Sequence, residues 1–160
     1  MRFSLLASCG LLLSGLLVSA IGCAQNSAGG ASAKPAAQSA AGRSLYDRLG
    51  GKPAITAVVD QFVANVAADK RINGRFATTD IPRLKGHLVD QVCSATGGPC
   101  TYRGRDMATT HQGMKITTDD FNALVQDLVA ALDTFKVPAQ EKNELLALLG
   151  PMKKDIVEVP

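Results

Sequence analysis

Tryptophan is missing from this chain, and its 160 residues include only two histidines, two tyrosines and four cysteines. Imidazole chemistry is therefore confined to His87 and His111, and thiol chemistry to Cys9, Cys23, Cys93 and Cys100. Zinc is not expected, because two cysteines with six residues between them and two distant histidines match none of the usual ligand spacings. A Gly-rich phosphate loop after a strand, a nucleophile elbow and a close pair of carboxylates on a buried face are all lacking. His87 and Cys93 stand six positions apart, too far round a helix to act as base and nucleophile. Hydrolytic catalysis is accordingly not expected. Excess charge is lacking too. Arg2, Lys34 and Arg43 precede Ser44, and the rest of the chain carries fourteen Lys and Arg against fourteen Asp and Glu. A neutral domain leaves no electrostatic footprint for nucleic acid.

What is present begins with residues 1–23, a short basic start followed by an apolar run broken by Gly and Ser, which is the pattern of a secretory signal. Its end, Ala20-Ile21-Gly22-Cys23, resembles a bacterial lipobox, and Cys23 is then the expected site of lipidation. An uncleaved membrane anchor is the other reading of the run. Residues 24–43 are almost wholly Ala, Gly, Ser, Gln and Pro and offer too little apolar surface to offset ordering entropy, so a flexible linker is expected. The expected location is the periplasmic face of a bacterial cell envelope, with a lipid tying the protein to the membrane. In that oxidising compartment Cys93 and Cys100 are left to each other, and a disulfide is the default.

Residues 44–160 read as a single helical domain. Leu45 to Leu49 form a short segment closed by Gly50-Gly51. Ile55, Val58, Val59, Phe62, Val63 and Val66 then recur at three- and four-residue steps, the apolar stripe of a helix that frays near Asp69. A brief helical turn carries Phe76. Asp80 caps the next helix, on which Leu84, Leu88 and Ala95 share a face with the polar His87 and Gln91. Gly97-Gly98-Pro99 stops it, and a loop with a turn before His111 comes next. Thr117 and Asp120 open a helix whose apolar face is Phe121, Leu124, Val125, Leu128, Val129, Leu132 and Phe135. The last helix starts near Ala139, carries Leu145, Leu148, Leu149, Met152 and Ile156, and is kinked by Gly150-Pro151.

A lone histidine in a loop is more often a surface or core residue than a metal ligand. The pattern around His111 changes that weighting. The stretches LYDRLGG (45–51), AITAVVDQFVANVAADKRINGRF (54–76), DIPRLKGH (80–87), GGPCTYRGRDMATTHQGMKIT (97–117) and DDFNALVQDLVAAL (119–132) resemble the first group of the truncated haemoglobins, over essentially all of residues 44–158. The resemblance implies an all-α fold, a truncated globin with a two-on-two helical sandwich around haem b. It implies His111 as the proximal iron ligand, its other ring nitrogen donating to a backbone carbonyl about one turn earlier. It implies Phe76, Leu84, Leu88, Val92, Tyr102, Met107, Met114, Ile116 and Phe121 as walls of the haem site. Oxygen or nitric oxide is the implied ligand, and a reductase of unidentified kind the implied partner.

The sequence departs from that group at two places. Val63 comes after Phe62 where many members have tyrosine, and Leu88 stands where a glutamine would fall, so two hydrogen-bond donors aimed at the bound ligand are gone. Each such bond is worth about 1 kcal/mol net, more to a charged acceptor, so slow oxygen release and efficient NO dioxygenation are not expected. His87 matches the position at which cyanobacterial members carry a second, distal histidine. Either His87 is a displaceable sixth ligand to the iron, or it lies at the haem edge against a propionate. Two functions remain on the resemblance: a globin that binds diatomic ligands, or a bis-histidyl protein of electron transfer or redox sensing.

Overall fold

The computed structural model describes residues 42–159. The signal-like segment 1–23, with Cys9 and Cys23, and nearly all of the linker 24–43 lie outside the described residues. Within 42–159 there are helices and short 3-10 turns and no strand, only an isolated bridge between Thr117 and Val159. No helix among the described residues is long and apolar enough to cross a membrane.

Helix α1 (Leu45–Arg48) is capped by Ser44, whose Oγ accepts from the Asp47 N–H. Two glycines join it to the next helix. Gly50 and Gly51 have φ of 96° and 73°, the left-handed region in which a side chain costs about 1–2 kcal/mol. At Gly50 a Cβ would also stand 2.9 Å from that of Ala54. The reversal drops Tyr46 onto the start of α2 (Gly51–Ala68), where its hydroxyl accepts from the Lys52 N–H at 3.0 Å. Arg48, with its side chain nearly out of solvent, pairs with Glu141 at 2.9 Å and with Glu144, fixing α1 to α6 (Ala139–Leu149).

Helix α2 is the centre of the domain and packs most extensively against α3 (Ile81–Ala95) and α5 (Thr118–Thr134). Its stripe of Ile55, Val59, Phe62, Val63 and Val66 is buried, each side chain contributing about 1.5–3 kcal/mol relative to exposure. Asp80 caps α3 through the Arg83 N–H, and Thr117 and Asp120 form a reciprocal capping box on α5. Helix α6 gives way to a 3-10 turn at Gly150–Met152, where Pro151 removes a donor, and the chain resumes as α7 (Lys153–Ile156). A second small core joins Leu45, Leu132 and Leu145.

On α3 the residues in the protein core are Val89 and Cys93, while Leu84, Leu88 and Ala95 are half-buried. Leu84 and Leu88 face a cleft. Two expected core residues lie outside. Phe135 is 46% exposed, because α5 ends at Thr134 and the chain turns away through Lys136 at φ 55°. Leu148 is 43% exposed on the outer side of α6.

The α2–α5 seam holds one poorly served carboxylate. Asp127 Oδ2 is buried with no hydrogen-bond partner among the described residues. Burial raises the Asp127 pKa, the nearby Asp69 charge adds to the effect, and Arg71 opposes it. A raised carboxylate costs stability as pH rises past its unfolded value of about 3.9, a cost absent in acid and developed as the pH climbs. Asp127→Asn is therefore expected to raise Tm at pH 7, with the gain fading at pH values near 4 or below. Thermal unfolding of both proteins at the two pH values checks this, and an unchanged Tm at pH 7 counts against it. Asp69, Asp106, Asp120, Glu144 and Glu158 are shifted the other way by hydrogen bonds, so their contributions disappear as pH falls through their lowered values.

Candidate haem site

The loop after α3 brings the site's second wall into place. Gly97, at φ 83°, turns the chain, and the Gly98 N–H donates back to the Cys93 carbonyl at 2.8 Å. Cys93 and Cys100 are joined by a disulfide that ties the last turn of α3 to this loop. Tyr102 comes next, its hydroxyl donating to the Arg105 carbonyl at 2.9 Å. Asp106 then caps the short helix α4 (Met107–His111), accepting from the Thr109 N–H at 2.8 Å and from its hydroxyl at 2.7 Å. These bonds hold the Asp106 carboxyl below its ordinary pKa. His111 is the last residue of α4.

His111 Nδ1 lies 2.8 Å from the Met107 carbonyl. A carbonyl oxygen can only accept, so Nδ1 carries the proton and Nε2 keeps its lone pair. That is the tautomer a metal-ligating histidine needs, with the ring oriented by a backbone bond.

Three openings meet at the same two residues, Leu88 of α3 and His111 of α4. The first, about 210 Å³, is lined by α2 residues Phe62, Val63, Val66 and Ala67, by Phe76 and Leu124, and by Ile81 and Leu84 of α3. Apart from His111, every side chain lining it is apolar. The second, about 160 Å³, runs past Val92, Met107, Phe121, Leu128, Met152 and Ile156. Its one other polar member is Gln91, whose amide nitrogen reaches only the thioethers of Met152 at 3.3 Å and Met107 at 3.8 Å. The third, about 490 Å³, is the mouth, where Arg83, His87, Tyr102, Arg103 and Arg105 stand. Arg83, Arg103 and Arg105 are exposed and make no ion pair with any described residue within 4.0 Å. His87 meets Tyr102 edge to face, with ring centroids 6.2 Å apart.

An apolar cleft with an oriented imidazole nitrogen left free in its wall and cations at its rim fits a flat apolar macrocycle that carries a metal and two acidic tails. Of the expected wall residues, Phe76, Leu84, Leu88, Val92, Tyr102, Met107 and Phe121 are brought to these openings. Met114 and Ile116 are not. Gly113 at φ 79° and Lys115 at φ 51° turn the chain outward after His111, leaving Met114 50% exposed and Ile116 buried under the C-terminal tail. Several lining residues went unassigned in the sequence. Val66 and Leu124 had a helical apolar stripe as their only signal, which serves core and cleft alike, Ile81 belonged to no stripe, and Met152 and Ile156 lie at the far end of the chain.

Below the cleft, the segment after His111 is held from two sides. Arg75 donates to the Met114 carbonyl at 2.9 Å and pairs with Asp120 at 2.6 Å. Glu158 accepts from the Gly113 N–H at 2.6 Å and the Lys115 N–H at 2.5 Å, which lowers its pKa. Among the described residues there is no cluster of three or more His, Cys, Asp or Glu able to hold a bare metal ion.

Comparison with known proteins agrees with this geometry. The model of the bacterial-like globin family matches residues 44–158. The group 1 truncated haemoglobin GlbN of Mycolicibacterium paratuberculosis is 38% identical over 113 residues, covering 71% of this chain and 83% of that protein. Among solved structures, the Fe(III) form of the truncated haemoglobin from Tetrahymena pyriformis superposes with a TM-score of 0.69 at 30% identity, covering 72% of this chain and 98% of that one. The 2/2 haemoglobin from Synechococcus sp., in its cyanomet state with covalently attached haem, gives 0.69 at 31% identity with the same coverage. A tautomer poised for iron in a two-on-two helical cleft, and this degree of likeness over the whole described domain, place the chain in the bacterial-like globin family, as a group 1 truncated haemoglobin with haem b as its cofactor.

Proposed function

We propose that this globin holds haem through His111 and binds oxygen or nitric oxide on the α3 side of the cleft. The observation that carries the reading is the Met107 carbonyl bond to His111 Nδ1, which reserves Nε2 for the iron. The haem supplies a reducible iron that takes a diatomic ligand reversibly. The chain's own part is to orient one imidazole, to keep water out with the apolar lining, and to offer cations to the propionates. Arg83, Arg103 and Arg105 at the mouth suit that last task.

Val63 and Leu88 leave the first opening without a side-chain hydrogen-bond donor for a ligand, since the one N–H of His111 is spent on the Met107 carbonyl. A ligand there gains nothing from the charge-stabilising bonds that a tyrosine and a glutamine would give, each worth about 1–3 kcal/mol, which favours rapid exchange over tight retention.

His87 has two roles open to it. It shares the mouth with His111, one helix against the other, which supports a displaceable sixth ligand. Its company of Tyr102, Arg103 and Arg105 supports contact with a propionate. Optical spectra of the ferric protein separate the two: as a sixth ligand, His87 gives a low-spin spectrum that becomes high-spin in His87→Ala. A high-spin parent spectrum that His87→Ala leaves alone removes the sixth-ligand role. The bis-histidyl role in electron transfer or redox sensing is tested on the ferrous protein. A stable oxygenated spectrum favours the gas-binding globin, and cycling between low-spin states alone favours the redox protein.

The lipobox-like Ala20-Ile21-Gly22-Cys23 and the Ala- and Gly-rich stretch behind it support export and a lipid on Cys23, placing the globin at the periplasmic face of the envelope, supplied with electrons by a reductase.

A further inference from the structure

The segment just past His111 is short, exposed and twice in the left-handed region, yet it is held at both of its polar edges. Such a stretch, left to itself, would move, and the imidazole at its start would move with it. The Glu158 carboxylate takes the N–H groups of Gly113 and Lys115, two and four residues past His111, and in the same stretch the Glu158 and Val159 N–H groups donate to the Ile116 carbonyl at 3.0 and 3.1 Å. The Thr118 N–H completes the join by donating to the Val159 carbonyl at 3.2 Å. Arg75 answers from the other side on the Met114 carbonyl. The tail that carries Glu158 is not a stray end, since Ile156, two residues earlier, lines the second opening together with His111.

We propose that Glu158 is a positioning residue for the proximal histidine: its carboxylate locks the turn after His111 and so sets how the imidazole meets the iron. This rests on His111 being the iron ligand. Glu158 lines none of the three openings that meet at His111. It acts through two backbone amides and the turn they belong to. Outer partners of metal ligands typically change metal affinity by about 10–100-fold when removed, and Glu158, one step further out, belongs at the lower end.

The test uses the haem-loaded protein and three variants, Glu158→Ala, Glu158→Gln and Asp155→Asn. The iron–histidine stretching band of the ferrous, ligand-free protein is recorded by resonance Raman, and haem transfer to an excess of an apo-globin acceptor is timed. Glu158→Ala is expected to shift and broaden the band and to speed haem transfer about tenfold. Glu158→Gln, whose amide oxygen still accepts one of the two bonds, is expected to fall between parent and Glu158→Ala. Asp155→Asn, which removes an exposed negative charge three residues away without touching the turn, leaves the band in place. A folded Glu158→Ala protein with the parent's band and transfer rate overturns the proposal, as does an equal shift in Asp155→Asn, which would reduce the effect to charge. A parent band that survives His111→Ala identifies a different failure, that of His111 as the ligand.

Discussion

His111→Ala is expected to yield a folded protein that no longer retains haem. His111 ends a five-residue helix in the cleft wall and contributes to neither hydrophobic core, so far-ultraviolet circular dichroism should match the parent's. What disappears is the lone pair that the Met107 carbonyl bond holds ready for iron on the proximal side. Removing mere outer partners of a metal ligand costs about 10–100-fold, so deleting the ligand itself should weaken haem retention by more than about a hundredfold. Absorption of the protein after gel filtration with added haem measures this directly. Free imidazole, small enough to occupy the vacated space, should restore part of the Soret absorption. A variant that keeps haem with the parent's axial ligation would falsify the assignment of the site.

Breaking the disulfide has the second largest expected effect. Cys93 is completely buried at the end of α3, and its link to Cys100 closes a loop with a sequence separation of seven. The chain-entropy account gives about 2–3 kcal/mol for a loop this short, or roughly 10 °C in Tm for a domain of this size. Reduction by a dithiol, which passes two electrons to the sulfurs and leaves two thiols, should therefore lower Tm by that order. The loop released carries Tyr102, which packs edge-on against His87. If His87 is the sixth ligand, reduction should also alter the affinity for external ligands. Unchanged melting in oxidised and reduced protein would show that the link contributes nothing measurable.

Element boundaries were readable because they are local. Asp80 and Thr117 each satisfy free N–H groups within three residues, and Gly50 and Gly51 occupy conformations closed to other residues. Gly150-Pro151 interrupts the last helix for the equally local reason that proline has no N–H to give. Periodicity could say that Leu84 and Leu88 turn inward but not what they turn toward, since a stripe against a cleft and a stripe against another helix have the same spacing. The same ambiguity placed Phe135 and Leu148 inside, whereas both are exposed to water.

The sequence by itself determined the helices, the two histidines, the pair of cysteines and, through a motif spread from Gly50 to Phe121, the family. Only the tertiary structure decided which nitrogen of His111 is free, that Met114 is outside, and that Glu158, forty-seven residues after His111, secures its turn. Caps and helical stripes are set by neighbours a few residues apart, whereas the state of an imidazole and the hold on a loop depend on groups that meet only once the chain has closed on itself.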